Sequence, residues 1–315
     1  MFKRKIGIIG AGAVGITFAY TAELSGICRE LVILDVNQER LSGEVMDLNH
    51  GLSFVPRMNI VAGDYDSLQD ADIVVLAAGV AQKQGESRLN LARRNVAITR
   101  DILGKLKTSG FKGILLVVAN PVDILTRLCV AESGLPKGHV IGSGTVLDTA
   151  RFRYFLSELI NVDPHNIHAY IVGEHGDSEV ALWSSAVVSG MGIDDYCRQL
   201  GIPFDESVKK SITDRVRDSA YHIIESKGVT NYAISLAMLR IIKAVLGDER
   251  RILTVSSSMD GHYGIDKVSI GIPALVGANG VESIIELPIS AKEREQLQNS
   301  ADQLDKTYQD VIVEK

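Results

Sequence analysis

The sequence predicts an α/β chain in which a doubly wound parallel sheet is followed by an α+β domain, and three observations carry that expectation. Short β-branched runs alternate with amphipathic stretches through the first half. A glycine-rich turn, Gly10-Ala11-Gly12-Ala13-Val14-Gly15, directly follows the first of those runs. After about residue 144 the alternation gives way to long helical stretches and to strands that read as paired. With 315 residues and 46% hydrophobic content, the chain has the length for two domains and the apolar content for a continuous core.

Taken in order, strands are expected at 5–9, 30–34, 58–62, 73–77, 114–119 and 139–141. Each is short and lacks polar alternation, the pattern of strands covered on both faces. Helices at 14–24, 38–48, 89–107 and 122–133 supply the crossovers. Beyond them, helices are expected at 147–159, 205–226, 231–246 and 291–311, with strands at 167–172 and 268–274. The division falls into 1–144 and 145–315, and the cleft between the two parts is the expected site.

The net charge of −6 gives no general electrostatic footprint for nucleic acid or an acidic membrane, so a small-molecule partner is expected. Cys28, Cys129 and Cys197 are odd in number and far apart, which points to neither disulfides nor a metal site and suits a reducing, cytoplasmic compartment. The basic and apolar start, MFKRKIGIIG, reads as a buried first strand because its apolar run is short and meets the glycines at once. No apolar stretch reaches the length of a membrane span.

The glycine turn carries a cofactor reading. Gly10 permits the tight turn, Gly12 lets a pyrophosphate approach the backbone, and Gly15 lets the helix pack on the strand. Asp35, twenty residues after Gly15 at the end of the second strand, is placed to accept both ribose hydroxyls. Its charge repels a 2′-phosphate, so NAD is expected rather than NADP. Together these describe a Rossmann unit.

Three further segments carry chemistry. In Gly173-Glu174-His175-Gly176-Asp177-Ser178 a histidine lies between glycines just after an apolar strand, and imidazole is the natural proton donor and acceptor for a hydroxyl and carbonyl pair. In Gly142-Ser143-Gly144-Thr145-Val146-Leu147-Asp148-Thr149-Ala150-Arg151, helical spacing puts Asp148 and Arg151 on one face. The polar loop Gln82-Lys83-Gln84-Gly85-Glu86-Ser87-Arg88 is able to close over a cofactor and carry Arg88 inward.

GAGAVG, QKQGESR, VVANPVD, GSGTVLDTARFR and GEHGDSE, in this order and at these separations, closely resemble the lactate/malate dehydrogenase family, in particular its L-lactate branch, over nearly the whole chain. The resemblance implies NAD-dependent interconversion of pyruvate and L-lactate in fermentation and glycolysis. It makes His175 the acid–base residue, Asp148 its orienting partner, and Arg151 the fork for the substrate carboxylate. Arg88 polarises the ketone after loop closure. Asn120, before a proline that is a candidate for the cis isomer, contacts nicotinamide and substrate, and Thr230 lines the substrate pocket. Val14, Arg40, Tyr65, Gly79, Val80, Val118 and Ser143 complete the NAD site by the same likeness.

Gln82 falls where the family reads the group on the third carbon of the substrate, and malate dehydrogenases carry arginine there. A second carboxylate sealed opposite a neutral amide costs on the order of several kcal/mol, which favours lactate over malate. Malate and branched-chain (2-hydroxyisocaproate-type) dehydrogenases are the alternatives. Arg153 and His168 match the positions that bind fructose 1,6-bisphosphate across a subunit interface in bacterial relatives activated by that effector. A homotetramer responsive to the bisphosphate is therefore expected.

Overall fold

The computed structural model describes residues 4–80 and 87–312. The first half forms β1 (Lys5–Ile9), α1 (Ala13–Ser25), β2 (Glu30–Leu34), α2 (Gln38–Gly51), β3 (Asn59–Ala62), β4 (Ile73–Leu76), α3 (Arg88–Ser109), β5 (Ile114–Val117), α4 (Val122–Glu132) and β6 (Val140–Gly142). The second half forms α5 (Val146–Ile160), β7 (Ile167–His168), β8 (Ile171–Val172), β9 (Val180–Ala181), β10 (Val187–Val188), β11 (Met191–Gly192) and α6 (Ile193–Gln199). It continues with α7 (Glu206–Lys227), α8 (Tyr232–Leu246), β12 (Arg251–Asp260), β13 (Asp266–Gly277), β14 (Gly280–Ile284) and α9 (Ala291–Ile312).

Strands β3-β2-β1-β4-β5-β6 lie side by side and all parallel, the doubly wound order. They are apolar along almost their whole length because helices cover both faces. One apolar layer packs α3, α4 and α9 on the sheet, and the other packs α1, α2 and α8. A third cluster, with Phe152, Leu156, Ile160, Ile212 and Val216 at its centre, joins α5 to α6 and α7. Trp183 closes it, edge-on to Phe152 at 4.7 Å and to Phe204 at 5.7 Å.

The sheet does not stop at residue 145. β12 adds antiparallel to β6 through the single pair Ser256 and Gly142, and β13 and β14 extend the same sheet to nine strands. At this seam Gly144 has φ +50°, and a Cβ there would lie 2.3 Å from the Ser256 nitrogen. Only glycine admits so close an approach of backbone to backbone.

One expected strand needs correction. Residues 167–172 form two short strands in different sheets, β7 pairing with β10 and β8 with β9. Between them the Ala169 carbonyl accepts from Arg153 Nε at 3.0 Å, so a side chain occupies a ladder position. The expected strand at 268–274 is the middle of the longer β13, and β12, with its serine run, was not foreseen.

Candidate active site

The glycine turn and the ends of β1, β2 and β4 border a cavity of about 850 Å³. Gly10, Gly12, Asp35, Tyr65, Gly79 and Val80, all expected to meet the cofactor, line it. Gly10 adopts φ +109°, and a Cβ on Gly12 would meet nothing within 4 Å, so the turn leaves open space in front of its backbone. A Cβ on Gly15 would fall 1.9 Å from the Gly10 carbonyl oxygen, which shows how tightly α1 is drawn onto β1. The N-cap of α1 is Gly12 with no capping side chain and no acid in the first turn, so its amides are left for an anion. Asp35 accepts from the Ala11 N–H at 2.7 Å and the Asn37 N–H at 2.8 Å, which fixes the carboxylate at the cavity wall with lone pairs to spare. These features fit a dinucleotide with an unphosphorylated ribose.

Not every expected cofactor residue lies in that wall. Val14 sits half-buried in the first turn of α1, Val118 and Asn120 follow β5, and buried Ser143 follows β6. Arg40 is on the outer part of α2, paired with Glu44 at 3.2 Å. Buried Asn95 of α3 is a residue the sequence reading missed. It accepts from the Val80 N–H at 2.9 Å and donates to the Asn120 carbonyl at 2.7 Å, clamping the loop after β4 to the turn after β5. The Asn120–Pro121 bond in that turn is cis.

The structure brings His175, Asp148 and Arg151 together. Asp148, almost fully buried in the first turn of α5, accepts from His175 Nδ1 at 2.5 Å and from Arg151 at 2.8 Å. The Asp148 charge, working against desolvation, raises the His175 pKa to about 9. Burial alone would make Asp148 a weak acid, but the cations of His175 and Arg151 outweigh it and hold the carboxyl below its usual range. With Nδ1 committed to Asp148, Nε2 is the nitrogen left for a substrate. Arg151 spends one N–H on Asp148 and keeps the rest of its fork.

Elements from across the fold hold this group. Thr145, the N-cap of α5, and Thr149 within it both donate to the Ile171 carbonyl, and Thr149 Oγ1 accepts from the Ile171 N–H at 3.0 Å, tying α5 to β8. Ser300 of α9 accepts from the Glu174 N–H at 2.9 Å and contacts Ser178 Oγ at 2.9 Å, which pins the histidine loop from behind. Asp123 of α4 accepts from the His175 main-chain N–H at 2.8 Å. Glu179 lies on the same loop; burial, helped by the Asp148 charge, pushes its pKa up to about 8. Most of these sat inside the quoted motifs without a role of their own, Asp123 among them two residues after the proline of VVANPVD, whereas Ser300 lay in none.

Thr230 lies half-buried in the turn between α7 and α8, and no hydrogen bond joins it to the histidine pair among the described residues. Gln82 lies outside the described residues, as does the side chain of Arg88, whose backbone opens α3. Arg153 stacks over Tyr170, with its guanidinium carbon 5.2 Å from the ring centroid, and His168 is exposed beside it on β7. Among the described residues no cluster of His, Cys, Asp and Glu side chains is arranged for a metal ion, and no helix is long and apolar enough to cross a membrane.

Comparison with known proteins agrees with this geometry. Residues 4–142 match the NAD binding domain of lactate/malate dehydrogenase, and residues 145–314 match the alpha/beta C-terminal domain of the same family. An L-lactate dehydrogenase of Thermoanaerobacter sp. is 47% identical over 98% of this chain and 99% of its own length. L-lactate dehydrogenase 1 of Clostridium acetobutylicum is 48% identical over 98% of both chains. The structure of the minor L-lactate dehydrogenase from Enterococcus mundtii in its ligands-bound form superposes with a TM-score of 0.96 at 42% identity, covering 99% of each chain. Fold, cofactor cavity and full-length likeness thus converge, and the chain belongs to the lactate/malate dehydrogenase family.

Proposed function

We propose that the chain is an NAD-dependent L-lactate dehydrogenase, interconverting pyruvate and (S)-lactate. The observation that carries this reading is one buried carboxylate, Asp148, shared between a histidine and an arginine. That arrangement provides a proton donor and an anion fork beside each other, which is what a 2-oxo acid requires.

NADH, when bound, supplies the hydride to C2 of the substrate. Gly10, Gly12 and Asp35 would hold its pyrophosphate and ribose, and Asn95 keeps the Val80 and Asn120 segments in register beside them. Arg151 binds the substrate carboxylate with the part of its fork that Asp148 leaves open. His175, protonated at neutral pH because of Asp148, gives its Nε2 proton to the carbonyl oxygen and takes it back in the reverse direction. Asp148 stabilises the imidazolium throughout. Arg88, carried at the start of α3, polarises the ketone, and Thr230 faces the substrate from the α7–α8 turn. The labour divides near residue 145, with nucleotide binding before it and acid–base chemistry after it, a division supported by the meeting of the two family matches between 142 and 145.

Gln82 supports pyruvate over oxaloacetate, since a neutral amide leaves a second carboxylate uncompensated. NADH consumption with pyruvate, oxaloacetate and larger 2-oxo acids tests the reading, with pyruvate expected to give the highest kcat/KM. Equal efficiency with oxaloacetate would overturn the charge argument, and Gln82→Arg should move preference toward oxaloacetate.

The active form is read as a cytoplasmic homotetramer activated by fructose 1,6-bisphosphate. Exposed Tyr20 and Leu24 of α1, together with Tyr232 and Leu236 of the adjoining α8, supply an apolar face suited to a second copy. The Arg153 side chain reaches the Ala169 carbonyl next to His168, and its proton affinity is lowered first by burial and further by the nearby Arg240. A bisphosphate would relieve that crowding of positive charge. Pyruvate saturation curves with and without the effector should differ, and superimposable curves at every pH would remove the regulatory reading. The three cysteines, all free and buried, suit the reducing compartment.

A further inference from the structure

Asp123 makes none of the substrate contacts assigned above, yet it connects the pieces that make them. Its side chain is buried in the first turn of α4, two residues after the Asn120–Pro121 bond. One carboxylate oxygen accepts the His175 main-chain N–H at 2.8 Å, and the other accepts the Ser256 hydroxyl at 2.6 Å. Ser256 is the β12 residue paired with Gly142 of β6. A single carboxylate therefore fastens the histidine loop and the sheet seam to the helix that begins at the Asn120 turn. An acid in a first helical turn is also favoured by the backbone dipoles there.

We infer that Asp123 is a positioning residue for proton transfer: it sets where the His175 loop stands against the Asn120 turn and keeps a second negative charge behind the imidazole. The inference rests on the acid–base role of His175. Two further observations agree with it. Burial pushes the Asp123 carboxyl up to about 6, with Glu174 adding to the rise and Ser256 and His175 opposing it, so the group is ionised at neutral pH. The Asp123 charge in turn raises the proton affinity of His175, adding to the larger effect of Asp148 and opposing that of Arg151. Among the described residues Glu179, protonated at neutral pH, is a further ionisable group facing the pair.

The amide of Asp123→Asn is able to accept from the His175 N–H and donate to Ser256 Oγ, keeping the geometry while deleting the charge. Asp123→Ala deletes both. The test is the pH profile of pyruvate reduction for the two variants, with NADH affinity and melting temperature measured alongside. The alkaline limb of Asp123→Asn should move down by about half a pH unit or more, because His175 loses its proton more easily. Asp123→Ala should lose about tenfold or more in kcat with NADH affinity unchanged. A purely structural role would lower the melting temperature and leave the limb where it was. An Asn variant whose limb coincides with that of the unmodified enzyme overturns the inference, even if the Ala variant fails to fold. An unmodified enzyme that does not reduce pyruvate at any pH would instead overturn the functional reading itself.

Discussion

The proton shared by His175 and Asp148 links the stability of the protein without substrate to pH. His175 is raised to about 9 from 6.5, so its contribution is fully present below 6.5 and fades as the pH climbs through 9. Asp148 is lowered from 3.8, so its contribution is present above that value and is lost on further acidification. The pair alone would give a plateau between about 4 and 6.5, but Asp123 and Glu179, raised to about 6 and about 8, give up stability from about 4 upward, so melting temperature should fall progressively from there toward pH 9. Asp148→Asn should flatten the alkaline decline and shift the alkaline limb of pyruvate reduction downward by about one unit or more. His175→Gln should cut reduction by about 10²–10⁴-fold while NADH still binds, and a variant that retained full turnover would end the assignment of His175 as the acid. At this scale the reading from sequence reached the three side chains that the structure brings together, His175, Asp148 and Arg151, because their motifs pair unusual residues at fixed spacing. It missed Asn95, Asp123 and Ser300, whose polarity is turned inward toward backbone groups of distant segments, a relation no local pattern encodes.

Helix α5 is the element on which the proposed chemistry depends, since it carries Asp148 and Arg151 and is stitched to β8 by Thr149 and by its N-cap, Thr145. Thr149→Val keeps the shape but strands the Ile171 N–H in the interior, a cost of about 1–3 kcal/mol that should appear as a lower melting temperature. Gly15→Ala tests the other half. The added methyl group cannot coexist with the Gly10 carbonyl, so α1 must lift from β1, and NADH affinity should fall by about tenfold or more. An unchanged affinity would mean that the helix start is not the pyrophosphate site. The parallel strands and crossover helices were legible because continuous apolar runs and helical periodicity are local signals. β12 was hidden because its buried Ser256 and Ser257 look like solvent-facing residues, and the two short strands of 167–172 merged because their interruption is made by a side chain sixteen residues away.

Across the whole molecule, the nine-stranded sheet couples nucleotide binding to the part of the chain that holds the histidine. NADH at a hundredfold excess over its Kd should add about 2.7 kcal/mol to stability. Because Trp183 lies in the second half, its fluorescence should report the same NADH-dependent shift in melting temperature as the backbone circular dichroism. Two separated transitions would show that the halves unfold independently. The close approach at Gly144 has a consequence for how such enzymes tolerate change. A single methyl group at that point would act as a shim, prising β12 away from the start of α5. Asp148 would then be carried off from a histidine fastened to the opposite side, so catalysis would fail through misalignment in a protein that still takes up its cofactor.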